Sequence, residues 1–136
     1  MKTLSLEEYN AGIKGFFHDF AGIEFMKVTK EEVVGEIKLR PELMAPNGFL
    51  HAGLVVTLAD TVCAWGTRLN MNDQAKGLTT IELKTNFLST AKEGVIMSIA
   101  TPLHVGRATQ VWDAVVKSKT TGKVMAHFRN TQMILY

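Results

Sequence analysis

The chain has 136 residues, of which 46% are hydrophobic and 21% charged, and its formal net charge is +2. These values are typical of one folded domain, which we expect to span residues 1–136, and they argue against disorder and against a nucleic-acid partner. The single cysteine, Cys63, excludes a disulfide within the chain and suits the cytoplasm.

The N-terminal segment predicts an amphipathic helix over residues 6–19. Ser5 and Glu8 have the spacing of a capping box. Apolar side chains then recur at helical intervals, namely Tyr9, Ile13, Phe16, Phe17 and Phe20. Because acidic residues follow the first methionine so closely, we expect no signal peptide.

Residues 24–39 alternate in polarity and predict two short strands or one bent strand, with Gly35 out of pattern. The stretch 40–48 contains two prolines and the pair Asn47-Gly48, which is typical of a loop. Both features separate the N-terminal helix from the most apolar part of the chain.

From Ala52 to about Thr67 the chain is apolar almost all round, which predicts a helix buried on most sides. Its β-branched residues leave a strand as the alternative, but its length and the following Gly66 favour a helix. This segment is too short and too polar to span a bilayer, so we expect no membrane partner.

The rest of the chain predicts four antiparallel strands. Alternation covers the segments 80–87, 95–99, 108–116 and 124–128, with breaks at 91–94, 106 and 120–123. A sheet that wraps one apolar helix is an α+β arrangement, in which the helix covers the dry face of the sheet.

Asp60 is the anomaly of the apolar helix, because a buried carboxylate without a partner is costly. It is either a hydrogen-bond or ion-pair partner that holds the fold, or a catalytic group. Small and polar side chains share its helical face and leave room for a ligand; they are Gly53, Thr57, Ala64 and Thr67.

The helix begins at His51-Ala52-Gly53, where its first backbone N–H groups are free to polarise a carbonyl oxygen. Together with a carboxylate that activates water or attacks carbon, this is an acyl-transfer arrangement. His51 itself is either a cap residue that packs on the loop or a member of this site.

The segment from Asn47 to Leu54, followed by Leu58-Ala59-Asp60, resembles the hotdog thioesterases of the phenylacetic-acid-pathway and 4-hydroxybenzoyl-CoA thioesterase branch. That family has an asparagine, then His-Gly-Gly, then an acidic residue nine positions after the histidine; here 60 − 51 = 9. Later stretches resemble it too, namely 81–88, 91–94, Gly106-Arg107 and the closing strand. The resemblance as a whole covers about residues 20–134.

The resemblance implies a hotdog homodimer or homotetramer with its site at the subunit interface, which hydrolyses an acyl-CoA thioester without a cofactor. It implies that Asp60 is the nucleophile or general base and that the amide of Ala52 is the oxyanion donor. It also implies that Thr80 positions the attacking water from the partner subunit, and that Asn47 stands in for the family's asparagine.

Two positions depart from the family pattern. The motif reads His-Ala-Gly, so the methyl group of Ala52 narrows the site while its N–H remains. The family's asparagine lies six residues before the histidine, where this chain has Ala45, whereas Asn47 lies four before it. Either the loop differs here or Asn47 has another task.

Three functions remain open at this point. Hydrolysis of an aryl- or medium-chain acyl-CoA is the first, and a non-catalytic acyl-CoA-binding module is the second. The third, a dehydratase, would need a histidine and an acid that face each other, but His51 and Asp60 lie about two and a half helical turns apart.

The remaining candidate residues have weaker signals. Cys63 lies in the apolar helix with no basic neighbour, so a structural thiol is expected. His18, His104 and His127 match no metal spacing, and we expect no metal. Basic side chains either contact CoA phosphates or are solvated charges at strand ends, and these are Lys92, Arg107 and Arg129.

Overall fold

The computed structural model describes residues 4–136; residues 1–3, on which the expectation about a signal peptide partly rests, lie outside it. The elements are α1 Leu6–Gly12, α2 Phe17–Ala21, β1 Ile23–Val28, β2 Val33–Lys38, α3 Ala52–Leu69, β3 Gly77–Phe87, β4 Val95–Val105, β5 Thr109–Ser118 and β6 Val124–Leu135. Within this part of the chain, no helix combines the length and apolar character that a bilayer span requires.

All six strands form one antiparallel sheet in the order β1-β2-β4-β5-β6-β3, and α3 packs across one face of it. Leu58 and Val62 of α3 are fully buried against this face. The predicted α+β hotdog architecture, an antiparallel sheet around one long helix, is therefore confirmed.

Two glycines allow α3 to lie close to the sheet. A Cβ atom on Gly35 of β2 would lie 2.8 Å from Cγ1 of Val62, and one on Gly66 would lie 2.4 Å from the ring of Trp112. The helix was predicted to run to about Thr67; α3 continues to Leu69, so Gly66 lies inside it. The glycine is there because of the Trp112 ring, which is fully buried.

The predicted continuous helix over 6–19 is wrong, although its capping box is confirmed by the bonds between Ser5 and Glu8. The chain turns after α1 at Gly15, whose φ of 80° is in the left-handed region. The carboxylate of Asp19 fixes this turn, because it accepts hydrogen bonds from the Gly15 N–H at 3.0 Å and from Lys14 Nζ at 2.9 Å.

The turn also changes which aromatic side chains are buried. Tyr9 and Ile13 are buried as expected, but three phenylalanines assigned to the same apolar face are 65%, 62% and 72% exposed; they are Phe16, Phe17 and Phe20. After the turn, α2 runs in a new direction and leaves these rings uncovered.

A bulge in the edge strand β3 determines which side chains face α3. Thr80 pairs with Gln132 of β6, whereas Glu82 pairs with Thr131, so Ile81 is the extra residue. Simple alternation would place Thr80 on the same face as Glu82. The bulge turns Thr80 to the α3 side of the sheet instead.

Candidate active site

Asp60 lies in the third turn of α3 and is half-buried. Its Oδ1 atom accepts two hydrogen bonds, from Thr80 Oγ1 at 3.0 Å and from Asn130 Nδ2 at 2.9 Å. No donor from residues 4–136 reaches Oδ2. The carboxylate is therefore held by one oxygen, while the other is available to a ligand.

The resemblance assigned Thr80 to the partner subunit's side of the site. The structure instead places Thr80 beside Asp60 of its own chain, because the bulge at Ile81 turns its hydroxyl toward α3. Thr80 supports the carboxylate directly in this arrangement.

Sequence reasoning missed Asn130 and Gln132 of β6. Both are fully buried, and Gln132 Nε2 donates to Thr80 Oγ1 at 2.9 Å. A signal for them exists in the sequence, because alternation places both amides on the same face as Phe128 and Ile134. Polar residues at the inward-facing positions of an otherwise apolar strand face indicate a candidate functional site.

At the N-terminus of α3, His51 is the cap residue, and its Nδ1 accepts from the backbone N–H of Gly53 at 2.9 Å. This confirms the cap interpretation of His51. It also corrects the expectation that the amides of Ala52 and Gly53 both face a thioester, because the Gly53 amide is already occupied. The Ala52 N–H has no acceptor among the described residues.

Ala52 and Asp60 do not meet within one chain. They are eight positions apart on one helix, which corresponds to about 12 Å along its axis. Reacting atoms must approach to about 3–3.5 Å, and an oxyanion donor to about 3 Å, so one thioester group does not reach both directly. Within one chain, His51 and Asp60 are nine positions apart and do not face each other either.

The stripe of small side chains is only partly open. Gly53 and Thr57 line a cavity of about 330 Å³, and the Thr57 hydroxyl donates to the Gly53 carbonyl oxygen at 2.8 Å. Ala64 is half-buried. Thr67 departs from the expectation, because it is fully buried and its hydroxyl donates to the Cys63 carbonyl oxygen at 3.0 Å.

The cavity lies between α2 and the start of α3, and its walls are mainly apolar; they include Phe17, Phe20, Leu43, Met44 and Leu54. Arg40 holds α2 in place, since its guanidinium donates to the carbonyl oxygens of Phe20 and Ala21 and lies 5.9 Å from the Phe20 ring centre. The exposed rings of α2 therefore form a fixed wall.

Two further predicted residues have structural partners. Asn47 stabilises its own loop, because its Oδ1 accepts from the Phe49 N–H at 3.1 Å. Arg107 lies in the turn between β4 and β5, with its guanidinium 5.2 Å from the Tyr136 ring centre.

The other basic candidates lie at different places. Lys92 contacts the ring of Phe49, with its Nζ 5.9 Å from the ring centre, near the loop that precedes α3. Arg129 forms an ion pair with Asp113. It alternates along β6 with the inward Asn130, so it lies on the sheet face away from Asp60.

Cys63 is fully buried in α3, and burial, with a smaller effect from Asp60, raises the pKa of its thiol well above the ordinary value. A protonated thiol is a poor nucleophile, as the sequence predicted. Within residues 4–136, no group of three or more His, Cys, Asp or Glu side chains is arranged to hold a metal ion.

Comparisons with known proteins agree with this architecture. A family model described as the thioesterase superfamily matches residues 47–125, more than half of the chain. The 1,4-dihydroxy-2-naphthoyl-CoA hydrolase of Escherichia coli is 26% identical over 134 residues, which are 98% of this chain and 97% of that protein. The hydrolase of the same name from Listeria monocytogenes is 27% identical over 99 residues, 73% of this chain and 80% of that protein.

Among solved structures, a mutant of the thioesterase PA1618 from Pseudomonas aeruginosa matches with a TM-score of 0.91 and 28% identity, over 98% of this chain and 96% of that one. The match over nearly the whole of both chains extends the likeness beyond the segment that the family model covers. The chain therefore belongs to the thioesterase superfamily and is a thioester hydrolase of the hotdog fold.

Proposed function

We propose that the chain hydrolyses an acyl-CoA thioester with an aryl or medium-chain acyl group, giving the free acid and CoA. The observation that carries this proposal is Asp60, a half-buried carboxylate with Oδ1 held by two donors and Oδ2 free of them among the described residues. The two relatives named as 1,4-dihydroxy-2-naphthoyl-CoA hydrolases support an aryl-CoA substrate. The sequence motif supports the phenylacetic-acid-pathway and 4-hydroxybenzoyl-CoA thioesterase branch.

In the proposed reaction, the thioester carbonyl oxygen accepts a hydrogen bond from the Ala52 N–H, where the helix N-terminus also stabilises the developing negative charge. Asp60 either takes a proton from water that attacks the carbonyl carbon or attacks that carbon itself. In the first route the carbon–sulfur bond breaks as Asp60 passes the proton to the leaving sulfur. In the second route the carbon–sulfur bond breaks to leave an anhydride between the acyl group and Asp60, the thiolate takes a proton from water, and a second water hydrolyses the anhydride to the free acid.

We propose that each site is shared between two copies of the chain, with Ala52 from one and Asp60 from the other. The separation of about 12 Å along α3 supports this, because one chain does not bring both groups to one thioester. In a two-fold dimer each partner supplies both groups, so two equivalent sites form.

The edge strand β3 supports a homodimer of this kind. It is an 11-residue strand at one end of the sheet, with a free backbone edge and apolar side chains that are 52%, 42% and 49% exposed; these are Ile81, Leu83 and Phe87. A long apolar edge strand left open invites pairing with another strand. Pairing of dimers into a homotetramer remains part of the proposal.

We place the acyl group in the cavity of about 330 Å³ next to the start of α3, which Gly53 and Thr57 help to line. Its mainly apolar walls suit a hydrocarbon or aryl group. Lys92 contacts Phe49 in the loop before α3, and with Arg107 it is a candidate for the CoA phosphates. Such a substrate, and the single buried thiol, support a cytoplasmic location.

The test is release of free CoA thiol from a panel of short, medium-chain and aryl acyl-CoA esters, with wild type beside Asp60→Asn. We expect hydrolysis of aryl or medium-chain esters, and a loss of about 10²–10⁴-fold in the near-isosteric variant. Full activity in folded Asp60→Asn would contradict the assignment of Asp60. Binding of an ester without hydrolysis by wild type would favour the non-catalytic module. The two departures from the family motif, Ala45 and the methyl group of Ala52, would then be the first explanations to test for the missing activity.

A further inference from the structure

The inward face of β6 carries two amide side chains where its neighbours are apolar. Asn130 and Gln132 are both fully buried and lie between Phe128 and Ile134 in the inward register. A buried amide destabilises a fold unless its donors and acceptors find partners. The partners of both amides lead to Asp60.

Asn130 contacts Asp60 directly, and Gln132 contacts it through Thr80. The Asn130 Nδ2 atom lies 2.9 Å from Asp60 Oδ1, and Gln132 Nε2 lies 2.9 Å from Thr80 Oγ1. The Thr80 hydroxyl has one proton and two acceptors in reach, Asp60 Oδ1 at 3.0 Å and Gln132 Oε1 at 3.1 Å. The carboxylate is the stronger acceptor, so Thr80 donates to Asp60 and accepts from Gln132.

Both supports converge on a single oxygen of the carboxylate. Two donors at Oδ1 fix the rotation of the Asp60 side chain about its last bond, and no residue of the described chain competes for Oδ2. A general base or nucleophile works only when its reacting atom is held within a small distance of its target. The two supports therefore determine where Oδ2 points.

Asn130 also has an unmatched atom. Its own Oδ1 is buried and has no hydrogen-bond partner within the described residues. A leucine of similar volume would fill this place without an unmatched acceptor, so the fold alone gives little reason for an asparagine. Local conflicts of this kind are expected at functional sites.

We propose that Asn130 is a positioning residue for thioester hydrolysis, which holds Oδ1 of Asp60 so that Oδ2 faces the substrate. Gln132, acting through Thr80, is the second support of the same oxygen. The inference rests on the proposed function of Asp60, because Asn130 acts only through that carboxylate.

The test is Asn130→Leu, assayed on whichever acyl-CoA ester wild type hydrolyses. We expect kcat to fall about 10²-fold, as for a misplaced reacting group, while KM changes by less than about twofold. The matched control is Ser98→Ala, which also removes a fully buried polar group with an unmatched atom from the inward face of the sheet. Ser98 lies on β4 opposite Gly35 and Val116 and contacts neither Asp60 nor its supports, so kcat of this variant should stay at the wild-type value.

A double variant separates positioning from a general structural role. If Asn130 acts only through Asp60, then Asn130→Leu should lower kcat in the wild-type background and change nothing in Asp60→Asn. Additive losses, or an equal loss in Ser98→Ala, would overturn the inference. If Asn130→Leu does not fold, Asn130→Ala serves in its place, because water can enter the smaller site.

The outcomes also separate this inference from the proposed function. Loss of activity in Asp60→Asn with a wild-type kcat in Asn130→Leu would refute only the positioning role. Full activity in Asp60→Asn would refute the role of Asp60, and the positioning role with it.

Discussion

The backbone N–H of Gly53 donates to Nδ1 of His51 at 2.9 Å, so the amide left over at the start of α3 is that of Ala52. The Ala52 N–H is therefore the specific backbone donor that the N-terminus of α3 offers to a substrate. Because Ala52 is the first residue of the helix, this donor can be removed without breaking the helix.

Ala52→Pro should remove the proposed oxyanion donor and leave α3 intact. Ala52 is the first helical residue, where proline is tolerated, and His51 has φ −62° and ψ 125°, which suit a residue before proline. We expect kcat to fall about 10²–10³-fold with little change in melting temperature. Ala52→Gly keeps the N–H and should retain activity. Equal activity of both variants would exclude this amide as the donor.

Phe20→Ala should weaken hydrolysis of bulky acyl-CoA esters and spare short ones. The ring is a wall of the cavity next to the start of α3, fixed by Arg40, so its loss removes apolar contact with a large acyl group only. We expect KM for aryl or medium-chain esters to rise about 10-fold, with acetyl-CoA unaffected. Phe16 is similarly exposed but does not line the cavity, which makes Phe16→Ala the control. The same rise in both variants would place the acyl group elsewhere.

Gly66→Ala should destabilise the protein. Its new methyl group would lie 2.4 Å from the ring of the fully buried Trp112, so helix and ring must move apart. We expect a loss of about 1–3 kcal/mol in the free energy of unfolding, measured by urea denaturation. Gly12→Ala, at the end of α1 with no atom within 4 Å of the new Cβ, should be neutral or slightly stabilising. A neutral Gly66→Ala would contradict the close approach of α3 to the Trp112 ring.

Cys63 should make stability depend on pH in the alkaline range. Burial raises the pKa of its thiol, so the folded state keeps a proton that the unfolded chain releases. The resulting stabilisation is fully present below the unfolded pKa of about 8.5 and is lost as pH rises toward the folded value, by at most about 1.4 kcal/mol per pH unit. Urea unfolding between pH 7.5 and 9.5 should show a steeper decline in wild type than in Cys63→Ala. Parallel declines would mean that the thiol ionises freely in the fold.

Local patterns made the larger elements predictable. The apolar stretch from Ala52 identified α3, and period-two alternation with turn residues identified β3 to β6, because both signals depend on neighbours along the chain. The prediction of one N-terminal helix was wrong because the hydrophobic spacing continues across Gly15, where a left-handed turn redirects the chain. The packing role of Gly66 was not predictable in this way, because it depends on Trp112, which lies far along the sequence.

The candidate site was predictable only in part. Asp60, Ala52 and His51 were recognisable from one short motif, but the supports of Asp60 come from strands that follow 20 to 70 residues later. Thr80 reaches the carboxylate through a bulge that simple alternation does not reveal. The Gly53 amide is not available to a substrate, because its N–H donates a hydrogen bond to the His51 side chain. That contact depends on the side-chain orientation of His51, which the sequence does not reveal.

The measurement that tests the central claim most directly is complementation between two inactive variants. Asp60→Asn and Ala52→Pro would be co-expressed with different tags, and the mixed dimers isolated through both tags and assayed for CoA release. If each site takes Ala52 from one copy and Asp60 from the other, every mixed dimer has one intact site and should show about half of the wild-type activity. Mixed dimers no more active than their parents would contradict a site shared between copies.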